Sequence, residues 1–245
     1  MGNILSKPRP RSPPTDLTGK IEHIDMRDAD FLKKEGAEED RYAFKNRVKG
    51  HQYQKHGKNW IQESTYFSDA LNNDEVHKLG SGENIFFVSN RESFSKAQYV
   101  GKEQSCGMSA VHILAFSVEN YFNPVSMTPD ELEIIPETIE LFKTYWDSHD
   151  FREKVLKQDK VAIKNRGGKG RRQALRQWKK IRRIIHTLKF EDFRFGLHLY
   201  PDNSIPHFHM HIIAATEECR QYSPRVNDAK TVDALEYYNR RKHRP

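Results

Sequence analysis

The chain has 245 residues, 36% of them hydrophobic and 31% charged, with a net charge of +7. That length suits one large domain with polar flanks; with no run of 18 apolar residues a transmembrane helix is excluded, and no apolar amino-terminal stretch suggests a secretory signal. Two cysteines, Cys106 and Cys219, are too few for a disulfide scaffold or a four-thiolate zinc site, so a reducing compartment, cytoplasm or nucleus, is the default.

In chain order, residues 1–21 read as a disordered tail, with Pro8, Pro10, Pro13 and Pro14 among small and basic residues. Met1-Gly2-Asn3-Ile4-Leu5-Ser6 fits the pattern for N-myristoylation, and Lys7, Arg9 and Arg11 follow it. One acyl chain with a basic patch would bring the protein to a membrane surface; an unmodified tail is the other reading. Residues 22–83 form a charged extension, read as helical, with a helix near 29–48. Trp60, Ile61, Tyr66, Phe67 and Leu71 serve there as anchors of short docked helices.

A compact domain is expected over 84–216. Short apolar runs predict strands at 85–88 and 109–116. Thr128, Pro129 and Glu131 form a helix start signal. The helix that follows runs towards 149 with Leu132, Ile135, Ile139, Leu141, Phe142 and Trp146 supplying the apolar stripe, and Pro136 should kink or split it. Two further strands are predicted at 193–200 and 207–215. Residues 217–245 read as a charged tail with one short helix near 232–240.

Between Arg152 and Lys189 stand fifteen Lys or Arg and two acids, a local net of +13, which leaves the rest of the chain at −6. This basic insert contains a helix at 174–189 with Leu175, Trp178, Ile181, Ile185 and Leu188 on one side. Its positive residues, among them Arg171, Arg172, Lys179, Lys180, Arg182 and Arg183, suit the phosphates of RNA or single-stranded DNA. A solvated face that steers anionic nucleotides and a contact with acidic lipid are the competing readings. Trp146 and Trp178 are read as packing residues.

The sharpest signal is Pro206-His207-Phe208-His209-Met210-His211-Ile212-Ile213. In a strand, side chains alternate, so His207, His209 and His211 share one face and Phe208, Met210 and Ile212 the other. Such a row can be a plain polar face, a set of divalent-metal ligands, or a nucleophilic centre in which a neutral imidazole attacks phosphorus.

His-φ-His-φ-His-φ-φ, where φ is apolar, resembles the signature of the histidine-triad superfamily of nucleotide hydrolases and transferases. Asn203-Ser204-Ile205-Pro206-His207 is similar to the polar approach to the triad in that family. Val111-His112-Ile113-Leu114 is similar to an earlier family strand, although Phe116-Ser117-Val118 stand where the family has an Ile/Val-Pro-Lys run. Met127-Thr128-Pro129-Asp130-Glu131 looks like the family's helix start. Leu197-His198-Leu199-Tyr200-Pro201 more weakly resembles the stretch ahead of the triad in the scavenger mRNA decapping branch. The likeness covers roughly 84–215.

The resemblance implies an α+β fold, an antiparallel sheet with the triad strand central and a long packed helix, and pairing into a homodimer. It implies cleavage of a nucleotide or nucleotide conjugate at the α-phosphorus. His209 is then the nucleophile, His207 and His211 orient or protonate, and His112 completes the histidine network. Ser204 and Asn203 would bind phosphate, and His198 would add a contact. The purine pocket would be lined by Ile85, Phe86 and Phe87. No cofactor or metal is expected in this chemistry. A metal-dependent enzyme using the same face, and a non-catalytic nucleotide- or RNA-binding protein, are the alternatives.

Overall fold

In the computed structural model of the protein, the described residues are 53–56, 59–62, 67 and 78–242, the last without 96, 101–106, 120, 122, 166–169, 200, 201, 206 and 224. The expected tail with Gly2, the helix near 29–48, and Cys106 lie outside them.

Strands β1 (Tyr53–His56) and β2 (Asn59–Gln62) pair as an antiparallel hairpin. Trp60 and Ile61, expected in docked helices, are strand residues. The sequence between the two runs is Gly57-Lys58, a Gly-x pair of the kind two-residue hairpins favour. Next come β3 (Gly80–Ser81), β4 (Ile85–Ser89), the short helix α1 (Ala97–Val100) and β5 (His112–Ser117). Three longer helices follow: α2 (Ile134–Trp146), α3 (His149–Asn165) and α4 (Arg171–Ile184). The chain continues through β6 (Phe193–His198), β7 (His209–Ala214), α5 (Glu217–Arg220), α6 (Arg225–Ala229), β8 (Thr231–Asp233) and α7 (Ala234–Lys242). The fold is mixed α+β. Six strands form one antiparallel sheet in the order β3-β4-β5-β7-β6-β8, which puts the histidine strand β7 in the interior.

Alternation along the strands separates two faces. Phe87, Ala115, Met210, Leu197 and Val232 turn to the side packed by helices and belong to the main core. There Phe87 meets Phe142, Tyr145 and Phe151 at ring-centroid distances of 6.1, 5.7 and 6.2 Å, and Trp146 meets Phe193 at 4.5 Å. In α2 the buried residues Ile135, Ile139, Phe142 and Trp146 recur at helical spacing and form the stripe laid on the sheet.

The helix start signal operates, with a difference. Thr128 N–H donates to Glu131 Oε2 at 2.7 Å and Glu131 N–H donates back to Thr128 Oγ1 at 3.3 Å. That capping box opens a 3-10 turn, Glu131–Glu133, and the α-helix begins at Ile134. Pro136 therefore stands in the first turn, where its missing N–H removes no ladder bond, and the expected kink inside a long helix does not arise.

The basic insert is a helix pair. α3 and α4 run antiparallel across 166–170, and α4 starts after Gly170, whose φ of 102° favours glycine. Ala174, Trp178, Ile181 and Ile185 of this insert join the core. Trp178 and Trp146 are packing residues: their indole N–H groups donate to Leu156 O and Leu188 O, both at 3.0 Å.

The segment after 216, expected to be a charged tail, completes the domain. Thr231–Asp233 pairs with β6, and Val232, Ala234, Tyr237 and Tyr238 enter the core. Three strand residues are too few to show a period, so only the partner strand reveals them. Among the described residues no helix is long and apolar enough to cross a membrane.

Candidate active site

The register of the sheet gathers the histidines. Leu114 faces His211, Phe116 faces His209, and His112 faces Ile213 across β5 and β7. Gly196 faces His211 across β6, and His198 faces Thr231 across β8. Cross-strand partners share a face, so His112, His198, His209 and His211 lie together on the side away from the core of Phe142 and Trp146. His207 lies two residues before β7, and its ring still meets those of Phe67 at 5.7 Å and Phe116 at 6.0 Å. His198 and His211 are closest, with ring centroids 4.1 Å apart. His209 and His211 stand at 5.1 Å, and His112 and His211 at 5.2 Å.

Hydrogen bonds assign the protons. His209 Nδ1 lies 2.7 Å from His207 O; a carbonyl only accepts, so Nδ1 carries the proton and Nε2 keeps its lone pair. His207 Nε2 donates to Ser117 O at 2.8 Å for the same reason. Two donors meet at His112 Nδ1: Met108 N–H at 3.2 Å and the Asn90 amide nitrogen at 3.0 Å. Asn90 Oδ1 accepts Glu92 N–H, which orients the amide. His112 Nδ1 is therefore an acceptor, and Nε2–H donates to His211 Nδ1 at 2.9 Å. The chain leaves a proton on His211 Nε2, a buried atom without a hydrogen-bond partner. On the other flank, Thr231 Oγ1 donates to Asn227 O at 2.5 Å and so accepts His198 Nε2–H at 2.9 Å.

All five rings are buried, His207 at 1% exposure and His211 at 8%. Burial is the leading cause that holds four of them neutral. It lowers His209 against a smaller opposing effect of its backbone hydrogen bond. It pushes His112 down to about 3, aided by Arg220, and His198 and His211 well below the usual imidazole range. The result is a set of neutral rings with fixed tautomers in which His209 presents an unprotonated Nε2.

A cavity of about 540 Å³ reaches this face at Val88, Leu114 and Phe67, and none of the five imidazoles lines it. Phe67, Val88, Leu114 and Ile205 supply apolar wall, and Asn90 and Asp159 supply polar groups. Phe67 stacks on Phe116 at 4.5 Å and reaches His209 at 5.5 Å. Asp159, on α3, is 2% exposed and bonded to the Ser89 hydroxyl, and burial raises its carboxyl to about 7. The expected apolar pocket of Ile85, Phe86 and Phe87 is divided by strand alternation. Phe86 lies on the histidine side, 5.7 Å from Phe116, whereas Ile85 and Phe87 are in the helix-packed core.

The other predicted residues separate. Asn203 is buried and its amide donates to Ile205 O at 3.2 Å, while Oδ1 is left without a partner. Ser204 is exposed in the same loop. His198 has its Nε2 engaged by Thr231, so its ring supports His211 from one side. Arg171, Arg172, Lys179, Lys180, Arg182 and Arg183 are exposed on α4, in the helical layer. Arg182 and Lys160 also lie over the Trp178 ring, at 5.6 and 5.1 Å. Asn90, Asp159 and Thr231 escaped sequence reasoning, which gives Phe67 only as a docking anchor. Asn90 stands in a visible turn signal, Ser89-Asn90-Arg91, but nothing local connects it to a histidine 22 residues away.

His207, His209 and His211 do not bring three ligand atoms together among the described residues, and their bonds to Ser117 O, His207 O and His112 engage one nitrogen of each ring. Comparison with known proteins adds no relative: no family model, no curated protein and no solved structure matches the chain.

Proposed function

We propose that the protein is a nucleotide hydrolase or nucleotidyl transferase of the histidine-triad type, acting at an α-phosphorus. The observation that carries this reading is the hydrogen bond from His209 Nδ1–H to His207 O, which leaves Nε2 as a neutral nucleophile in a buried site. Nε2 attacks phosphorus in line, the P–O or P–N bond to the leaving group breaks with its electron pair, and a nucleotidyl-His209 intermediate forms. Water or another acceptor then displaces His209. His211, whose ring stands 5.1 Å from that of His209, has in Nε2–H a donor that suits a phosphate oxygen or the leaving atom. Its orientation is transmitted from Asn90 through His112. The cavity beside the histidines suits the nucleoside, with Phe67, Val88 and Leu114 for the base.

The metal-dependent reading is disfavoured by the geometry, since among the described residues the three rings do not bring three ligand atoms together. A second observation favours a polymer substrate. Most of the cations of α3 and α4 are exposed, and α3 also contributes Asp159 to the cavity wall, so RNA or a single-stranded nucleic-acid end is a fitting substrate class. Acid-quenched reaction with a radiolabelled nucleotide substrate tests the chemistry. An acid-labile, base-stable label on wild type that is absent from His209→Ala is the expected result. Turnover by His209→Ala near the wild-type rate would refute the assignment.

A further inference from the structure

The basic insert holds only two acids, Glu153 and Asp159. Asp159 lines the cavity; Glu153 stands in a second group at the opposite end of α3. His149 and Glu153 are four residues apart and share one side of the helix. His186, in the turn after α4, comes up against both. Its Nε2 lies 2.8 Å from Glu153 Oε1, and its ring stacks on that of His149 with centroids 4.6 Å apart and planes 10° from parallel. One ligand atom from each of the three lies within 4.8 Å of the others.

The turn that presents His186 is built rigidly. Arg152 Nη1 donates to His186 O at 3.3 Å, and the Arg152 guanidinium rests over Trp146 at 5.3 Å. Trp146 Nε1–H holds Leu188 O, two residues on. Ile185 and Leu188 are buried on either side of His186. Backbone on both flanks is thus fixed, while the His186 and Glu153 side chains remain a third and a half exposed. A metal can reach them, and short rotamer changes suffice to close the set to the separation of about 3.3 Å between ligand atoms of a tetrahedral ion.

We infer that His149, Glu153 and His186 form a binding site for a divalent transition-metal ion of the zinc type, which fastens the start of α3 to the turn after α4. Two imidazoles and one carboxylate with an open fourth position for water match zinc chemistry; the imidazoles make the set a poor one for magnesium or calcium. The position explains a use. α3 and α4 are joined at the 166–170 end and open at the 149 and 186 end, and their twelve cations repel one another. Three coordinate bonds across the open end hold the pair together. The site lies in the helical layer and is independent of the reaction proposed for the sheet histidines.

Equilibrium dialysis of the full chain against zinc, with elemental analysis, is the test. One zinc per chain should bind in the micromolar range and persist in excess magnesium. His149→Ala and His186→Ala should each weaken it by more than about tenfold, with unchanged far-ultraviolet circular dichroism. The double variant His209→Ala/His211→Ala should keep it. Cobalt should give the visible absorption of a four-coordinate site on wild type and lose it on His149→Ala. Zinc that survives His149→Ala and disappears from the sheet-histidine variant overturns the inference, as does wild type that binds no zinc at tens of micromolar.

Discussion

The two faces of one sheet use buried rings in opposite ways. On the helix side, Phe87, Phe142, Trp146, Phe151 and Phe193 fill space, and their indole and apolar surfaces need at most one polar partner each. On the other side, His112, His198, His207, His209 and His211 are almost as inaccessible, yet every one is oriented by a hydrogen bond. The first face stabilises by the removal of apolar area from water. The second keeps imidazoles neutral at the cost of desolvating them, and gains fixed tautomers. Burial serves the fold on one side and reactivity on the other.

Paired substitutions break this contrast most sharply. His209→Ala should lower turnover on the order of 10⁴-fold, with a modest loss of stability. Phe142→Ala should cost about 3–5 kcal/mol in chemical denaturation, while the remaining folded fraction keeps its chemistry. If His209→Ala proves the more damaging to stability, the division of labour is wrong.

Asp159 offers the next largest effect. Its carboxyl is raised from 3.8 to about 7 by burial, so the native state holds a proton that the unfolded chain has released. Its contribution to stability is full below the unfolded value and is lost as pH rises through 7. The difference amounts to at most about 4 kcal/mol. Asp159→Asn should remove this slope and raise the melting temperature at pH 8 relative to wild type. Parallel pH profiles for the two proteins would show that Asp159 is not the buried acid.

The histidine relay can be read directly. Long-range nitrogen-15 spectra should find Nδ1–H on His209, and Nε2–H on His112, His198, His207 and His211. Because burial lowers His209, its nucleophilic lone pair should survive below pH 6.5, and the acid limb of turnover should fall there rather than at 6.5. Asn90→Asp replaces the shorter of the two donor contacts to His112 Nδ1 by an acceptor, which favours a proton on that nitrogen over the remaining bond from Met108 N–H. Turnover should drop by roughly 10–100-fold with a shifted pH profile. An unchanged His112 nitrogen spectrum in Asn90→Asp would remove Asn90 from the relay.

The smallest predicted change concerns the outer helical surface. Reversal of one cation on α4, Lys180→Glu for example, should reduce the log–log salt dependence of single-stranded RNA binding by about 0.7. Small-nucleotide hydrolysis should hardly change, since α4 packs in the layer opposite the histidines. A wild type without salt-dependent affinity for any nucleic acid would leave this surface a solvated one.

Local sequence was enough for whatever repeats with a period or begins with a cap. Alternation in 207–213 placed three histidines on one face, the stripe of Ile135, Ile139, Phe142 and Trp146 marked α2, and Thr128 with Glu131 formed the capping box of the 3-10 turn ahead of it. Tertiary structure alone decided the rest. Thr231 and His198 meet because β8, a strand too short to show alternation, lies beside β6. Asn90 and His112, Asp159 and Ser89, and Phe67 and His209 are likewise brought together by sheet register and helix packing. Pairing between distant segments is selected by the total burial of both faces, and no window of neighbouring residues contains that sum. So the imidazoles were legible in the chain, while the donors and acceptors that assign their protons were not.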